Sequence, residues 1–238
     1  MAARRFATTT TSTFNCELGG KKRTLNFHSI CFMSFLLLFF SYSLAWTMPS
    51  VSPASSFELV DEESGIQLYE RWHKTAEGNA YRELKTVLKV KAPTHTLLRT
   101  LREEQQAEKW MRRVDEVRSF PGQHDRHWYA YVHYGLPWPA RDHDCTIAYR
   151  QTGSAAGSTT IQFESVALKQ YPVKDGIERI TGLSGRWEFE KQANGYTEVR
   201  YFIQTTKASS LPRFITDPIV RSNMMRTMEG FREVAEKG

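Results

Sequence analysis

Two short alternating runs open the folded part of the chain. From Gly65 to Trp72, Ile66, Leu68 and Trp72 share one parity; from Tyr81 to Val90, Leu84, Leu88 and Val90 share one face. Period-two alternation is what a strand with one covered face requires, and Glu77-Gly78-Asn79 between the runs supplies turn residues, so they predict a hairpin. Pro93 then opens a helical stretch, because its fixed φ suits a first helical position and its missing N–H costs nothing there. Leu97, Leu98 and Leu101 form the apolar stripe, Glu103 to Gln106 a solvated end, and Trp110 closes the segment onto the core.

Strands are predicted near 114–120, 127–135, 144–151, 159–168, 177–181, 184–190 and 196–206, punctuated by glycines and by Asn194-Gly195, a hairpin turn pair. No helical pattern alternates with them, which predicts an antiparallel sheet. The chain ends on a helical pattern in which Val220, Met224, Met228, Phe231 and Ala235 recur, with a kink or restart expected at Asp217-Pro218. An antiparallel sheet followed by one long amphipathic helix is an α+β arrangement, and the helix must bury its stripe on the sheet.

The segment Trp128 to Tyr149 carries aromatic residues on both strand parities, then Pro137-Trp138-Pro139, then Arg141-Asp142-His143-Asp144. Bulky residues on both faces require that both be covered or that one line a cavity. The two prolines fix φ and remove two N–H donors, so the motif ends one strand and aims the next. Trp138 is expected to pack, and Arg141 and Asp144 to anchor the following strand. No nucleophile-and-base spacing and no phosphate loop occurs in the chain, so no catalytic residue is assigned.

Composition changes the picture mainly at the N-terminus. Ile30 to Leu44 is uncharged and apolar, Lys21, Lys22 and Arg23 precede it, and Ser43-Leu44-Ala45 offers small residues for cleavage. That order is a secretory signal, so 1–45 is expected to be a leader, 46–57 a short Pro- and Ser-containing linker, and 58–238 one domain. The alternative is a membrane anchor over 30–45, although the run is about five residues short of a comfortable span. The leader holds five of the 32 Lys and Arg and one of the 26 Asp and Glu, so the net charge falls from +6 to +2 without it. A nucleic-acid partner is therefore not expected. Only Cys145 remains beyond the leader, which excludes an internal disulfide.

His124 and His127, with His133 and His143, could suggest a metal site, but histidines at i and i+3 beside Asp125 are a poor spacing for a strand, where i and i+2 share a face, so no metal is assigned. Asp142 and Asp144 share a parity but read as partners of Arg141 and backbone N–H groups, not as an acid/base pair.

The chain resembles the START (StAR-related lipid-transfer) domains of the helix-grip superfamily, in their bacterial form. The residues that carry the resemblance are Gly65 to Arg71, Lys109-Trp110, Trp128-Tyr129, Pro137-Trp138-Pro139 with Arg141 to Asp144, Tyr171-Pro172, Gly185-Arg186-Trp187 and Leu211-Pro212, in that order. The resemblance implies a curved antiparallel sheet wrapped around the terminal helix and an apolar cavity holding one lipid. It implies Trp128, Tyr131, Tyr149, Trp187, Tyr201, Val220, Met224 and Met228 as cavity walls. It also implies a gate formed by the loop Leu168 to Ile177, with Tyr171 and Pro172 in it, together with the helix. Lys169, Lys174, Arg213 and Arg221 around that gate suit transient contact with a membrane surface. The strands expected to hold the acid and base of sterol-binding members offer Tyr129, Tyr131 and Tyr149 instead.

The function expected is binding or transfer of a lipid or other hydrophobic small molecule by an exported (periplasmic or secreted), monomeric, cofactor-free protein that is not an enzyme. The alternatives are a polyketide cyclase/aromatase-like enzyme using the same cavity, with Tyr131, Tyr149 or Arg200 as its polar groups, and a ligand-sensing accessory protein.

Overall fold

Strand β2 (Ile66–Lys74) and strand β3 (Ala80–Val90) form the expected hairpin, with Leu68 opposite Thr86 and Glu70 opposite Leu84. The structure, a computed structural model, describes residues 56–75, 78, 80–135, 141–155, 157–206 and 213–238. Ahead of the hairpin runs β1 (Glu58–Glu63), antiparallel to β2. It lies within the sequence expected to be domain, but no strand was expected in it. ELVDEE has no apolar alternation, because an edge strand that is largely exposed needs none.

Two helices follow, α1 (Thr94–Arg102) and α2 (Glu104–Trp110), where one segment was expected. Glu103 breaks them with an extended backbone, φ −80 and ψ 127, and neither Gly nor Pro marks the place. The meander is then β4 (Val114–Pro121), β5 (His127–Tyr134), β6 (His143–Ala155), β7 (Ser158–Ser165), β8 (Glu178–Arg179), β9 (Leu183–Lys191) and β10 (Thr197–Thr205). The sheet order is β1-β2-β3-β10-β9-β7-β6-β5-β4, so β10 returns to pair with β3 and joins the hairpin to the meander. The short β8 pairs parallel with the start of β6, beyond the reach of β7.

Helix α3 (Arg213–Lys237) closes the chain and runs unbroken through Pro218, where a kink was expected. It packs on β2, β3, α1 and α2. Its buried residues are Met225, Met228, Phe231 and Ala235, with Val220 and Met224 half-buried at the edge of the stripe. Gly230 lets it approach α2 closely, since a Cβ there would lie 3.1 Å from the Trp110 carbonyl oxygen.

The sheet face toward α3 carries the core: Ile66, Leu68, Leu88, Val90, Ile147, Ile161, Phe189 and Val199 are all buried. In strand β9, a Cβ at Gly185 would meet the carbonyl oxygen of Phe202 and stand 2.5 Å from the Phe163 ring. Only glycine lets that ring cross the strand there.

Candidate functional site

Register sorts the aromatic residues of the central strands into two sets. Trp128 pairs with Tyr149, Ala130 with Ile147 and Val132 with Cys145, and these lie on the helix face. Tyr129 pairs with Ala148, Tyr131 with Thr146 and His133 with Asp144, and these lie on the outer face. The proposed wall residues Trp128, Tyr149, Trp187 and Tyr201 are brought together in one row. Trp128 stacks on Tyr149 at 5.0 Å between centroids, Tyr149 meets Phe163 at 5.7 Å, Phe163 meets Tyr201 at 5.7 Å and Tyr201 meets Trp187 at 4.2 Å. Phe231 of α3 completes the row, 4.9 Å from Trp187 and 5.2 Å from Trp110. Burial holds the phenols of Tyr149 and Tyr201 well above their ordinary range, so both are neutral hydroxyls in an apolar setting. Met228 is fully buried against the same cluster, and Val220 and Met224 pack at its edge.

Tyr131 does not join this row. Parity alone turns it to the outer face, where it is buried under the segment that links β7 to β8. Its ring stacks on Tyr171 at 4.2 Å, and Tyr171 also meets Phe120 at 5.3 Å. The loop expected as a gate therefore lays Tyr171 on the face away from α3. Leu168 and Ile177 are half-buried and Pro172 is exposed. Backbone bonds tie this segment to β6, from Val166 N–H to the Thr146 carbonyl at 2.9 Å and from Ile180 N–H to the Asp144 carbonyl at 2.7 Å.

Asp144 is an anchor, but its partner is not Arg141, which is exposed. Arg179 of β8 donates to both of its carboxylate oxygens, at 2.5 and 2.9 Å, and to the carbonyls of Tyr171 and Pro172 at 3.1 and 3.4 Å. Pro137, Trp138 and Pro139 lie outside the described residues.

A polar cluster that sequence reasoning missed lies at the edge of the helix face. Glu70 is buried and accepts from Trp72 Nε1 at 2.7 Å, Arg82 Nη1 at 3.3 Å and Arg221 Nη2 at 3.4 Å. Arg82 also donates to Asp217 at 2.7 Å, so β3 holds the first half of α3 by charge. Arg221, expected near a membrane surface, is committed to this cluster. The parity of Glu70 with Ile66 and Leu68 was the available signal, because a carboxylate on an apolar face needs partners.

Two of the histidines have carboxylate neighbours. His133 has Asp115 at 3.9 Å and Asp142 at 3.7 Å, and His143 has Glu178 at 3.7 Å. Among the described residues no group of three His, Cys, Asp or Glu is arranged to hold a metal ion.

No protein-family model matches the chain. An uncharacterized protein of Pseudomonas aeruginosa is 25% identical over 184 residues, covering 77% of this chain and 89% of its own. Among solved structures, a STAR-related lipid transfer protein of Xanthomonas axonopodis superposes with a TM-score of 0.66 at 23% identity, over 76% of this chain and 99% of that one. Human StAR-related lipid transfer protein 5 superposes with a TM-score of 0.62 at 13% identity, over 88% of this chain and 95% of that one. With a long antiparallel sheet gripping a C-terminal helix and these matches, the chain has the helix-grip fold of the StAR-related lipid-transfer (START) domains.

Proposed function

We propose that the chain binds a hydrophobic small molecule, a lipid in class, between the helix face of its sheet and α3, and that it carries or presents this ligand without chemistry. The observation that carries the reading is the buried aromatic row from Trp128 to Phe231, closed by one helix whose first half is held by ion pairs. The fold shared with lipid-transfer proteins supports it. Burying an acyl chain is worth about 0.8 kcal/mol per CH₂, so a modest lipid is well held once enclosed. The row is closed ring on ring, so entry requires α3 to move outward. We assign the gate to α3, because Arg179 fastens the loop Leu168 to Ile177 on the opposite face.

Export, with a mature chain beginning near Trp46, is supported by the basic, apolar and small residues of 21–45, and an anchor over 30–45 is the alternative. Transient membrane contact is supported by Val173, 65% exposed between Lys169 and Lys174. The test is native mass spectrometry of the protein purified from its own host, followed by titration with a fluorescent fatty acid. Bound lipid is expected, and Met228→Trp and Met224→Trp should each weaken probe binding roughly tenfold. A wild-type protein that holds no lipid and binds no hydrophobic probe of any class ends the proposal.

A further inference from the structure

Two hydrogen bonds fix how α3 lies on the sheet. Arg82 near the start of β3 donates to Asp217 at 2.7 Å, and the Lys91 backbone N–H just past its end donates to Glu236 at 2.9 Å, so helix and strand run parallel. Along this direction the helix face is packed unevenly. Toward the second half of α3, Leu88, Val90, Phe189 and Val199 are buried together with Met228 and Phe231. Toward the first half, Leu183, Ile203, Val220 and Met224 are only partly buried. Tyr201 also keeps part of its surface, although it lies within the sheet with β3 and β9 on either side. Native interiors are close-packed, so looseness confined to one end marks the place where a guest fits.

Free hydroxyls collect there. The rings of Tyr149 and Tyr201 flank Phe163, each 5.7 Å from it. Neither hydroxyl has a hydrogen-bond partner among the described residues. Thr86 stands opposite Tyr201 in register and is fully buried, and its hydroxyl is likewise without a partner among them. A hydroxyl taken from water and left unmatched is destabilising, so such groups are few in native interiors. The surrounding strand positions Ile147, Gly185 and Ile203 carry no charge, and Arg221 of α3 is held by Glu70 at 3.4 Å. Burial, and after it the neighbouring phenols, keep Tyr149 and Tyr201 neutral.

We propose that the ligand of the helix face bears an uncharged hydrogen-bonding group, a hydroxyl or a ketone or ester carbonyl, and that Tyr149 and Tyr201 bind this group beneath the first half of α3. The inference rests on the reading of this face as a lipid site and gives that lipid its polar chemistry. A phenol both donates and accepts, so it satisfies a carbonyl oxygen or a hydroxyl equally. A carboxylate or phosphate in the same position would be a buried charge with no cation to meet it, which is far more costly than a neutral group.

The test compares ligands of one chain length. Purified native protein is offered dodecan-1-ol, dodecan-2-one, laurate and dodecane at neutral pH, in pairs, and bound ligand is counted by native mass spectrometry. The alcohol and the ketone are expected to bind roughly tenfold tighter than either laurate or the alkane. Tyr149→Phe and Tyr201→Phe each keep the ring and remove the hydroxyl. Each should reduce the preference for the alcohol over the alkane severalfold while affinity for dodecane stays the same, a difference that mere loosening of the fold would not produce. Equal binding of alcohol, ketone and alkane, tighter binding of laurate, or a preference that survives in the double variant overturns this inference and leaves lipid binding standing. Failure of all four to bind overturns the lipid site itself and this inference with it.

Discussion

Arg179 and Asp144 form a bidentate ion pair across β8 and β6, with the carboxylate fully buried and the guanidinium nearly so. The same guanidinium caps the carbonyls of Tyr171 and Pro172, so one side chain fastens the whole outer segment to the sheet. Breaking a buried pair from one side leaves a charge uncompensated, at about 3–5 kcal/mol. Asp144→Asn should therefore cost about 3 kcal/mol in urea unfolding, and the Asp144→Asn, Arg179→Gln double variant less than the sum of the two single changes. Additive costs would show that the two groups are not coupled.

Glycine replacements should separate close approach from backbone conformation. At Gly185 a Cβ meets a neighbouring carbonyl and the Phe163 ring, so Gly185→Ala is expected to cost upward of ~3 kcal/mol. At Gly195, with φ +77 and open space around it, the same change meets only the left-handed backbone and should cost about 1–2 kcal/mol. Thermal unfolding of both variants reads the difference, and equal costs would refute the steric account.

The Cys145 thiol is pushed up to about 12, mainly by burial, from an ordinary 9.0. Thiolate is the reactive form, so in a chain starting at Trp46 the folded protein should resist a disulfide reagent at pH 8 and react once unfolded. The linkage sign follows. Between pH 9 and about 12 the folded state keeps a proton that the unfolded chain has lost, so this group's contribution is full below pH 9 and falls by about 1.4 kcal/mol per pH unit above it. Cys145→Val should unfold with a shallower pH dependence there. An unchanged slope would remove Cys145 from the account.

Arg82 joins Glu70 of β2 to Asp217 of α3. Replacing it by Met keeps the stem and removes the charge. We expect about 2–3 kcal/mol of destabilisation and faster amide hydrogen exchange in the first half of α3 than in the second. Uniform exchange along the helix would show that Met225, Met228 and Phe231 hold it alone.

The strands were legible because each internal strand shows the sheet one apolar parity, as Trp187-Glu188-Phe189 opposite Val199-Arg200-Tyr201 does. Strand β1 was not legible, since an edge that buries little has no pattern to read. The split at Glu103 left no trace because the break is set by packing of Trp110, whose Nε1 donates to the Thr100 carbonyl at 3.0 Å. The aromatic run Trp128 to Tyr134 announced two covered faces, but not which parity faced the helix, because α3 covers one and the Tyr171 segment the other. That is why Tyr131 was grouped with Trp128. On the terminal helix Met224, Met225 and Met228 all fit an apolar stripe, and only the helix rotation decides that Met225 lies deeper than Met224.

Trp110 and Trp187 both touch Phe231, so two of the six tryptophans of the chain sit against the moving side of the proposed gate. The protein therefore carries its own optical reporter. Displacement of α3 would admit water to both indoles and shift their emission to longer wavelength, while motion of the Tyr171 segment on the far face would leave them dark to the change. Opening of either cover can thus be told apart in solution without attaching a dye.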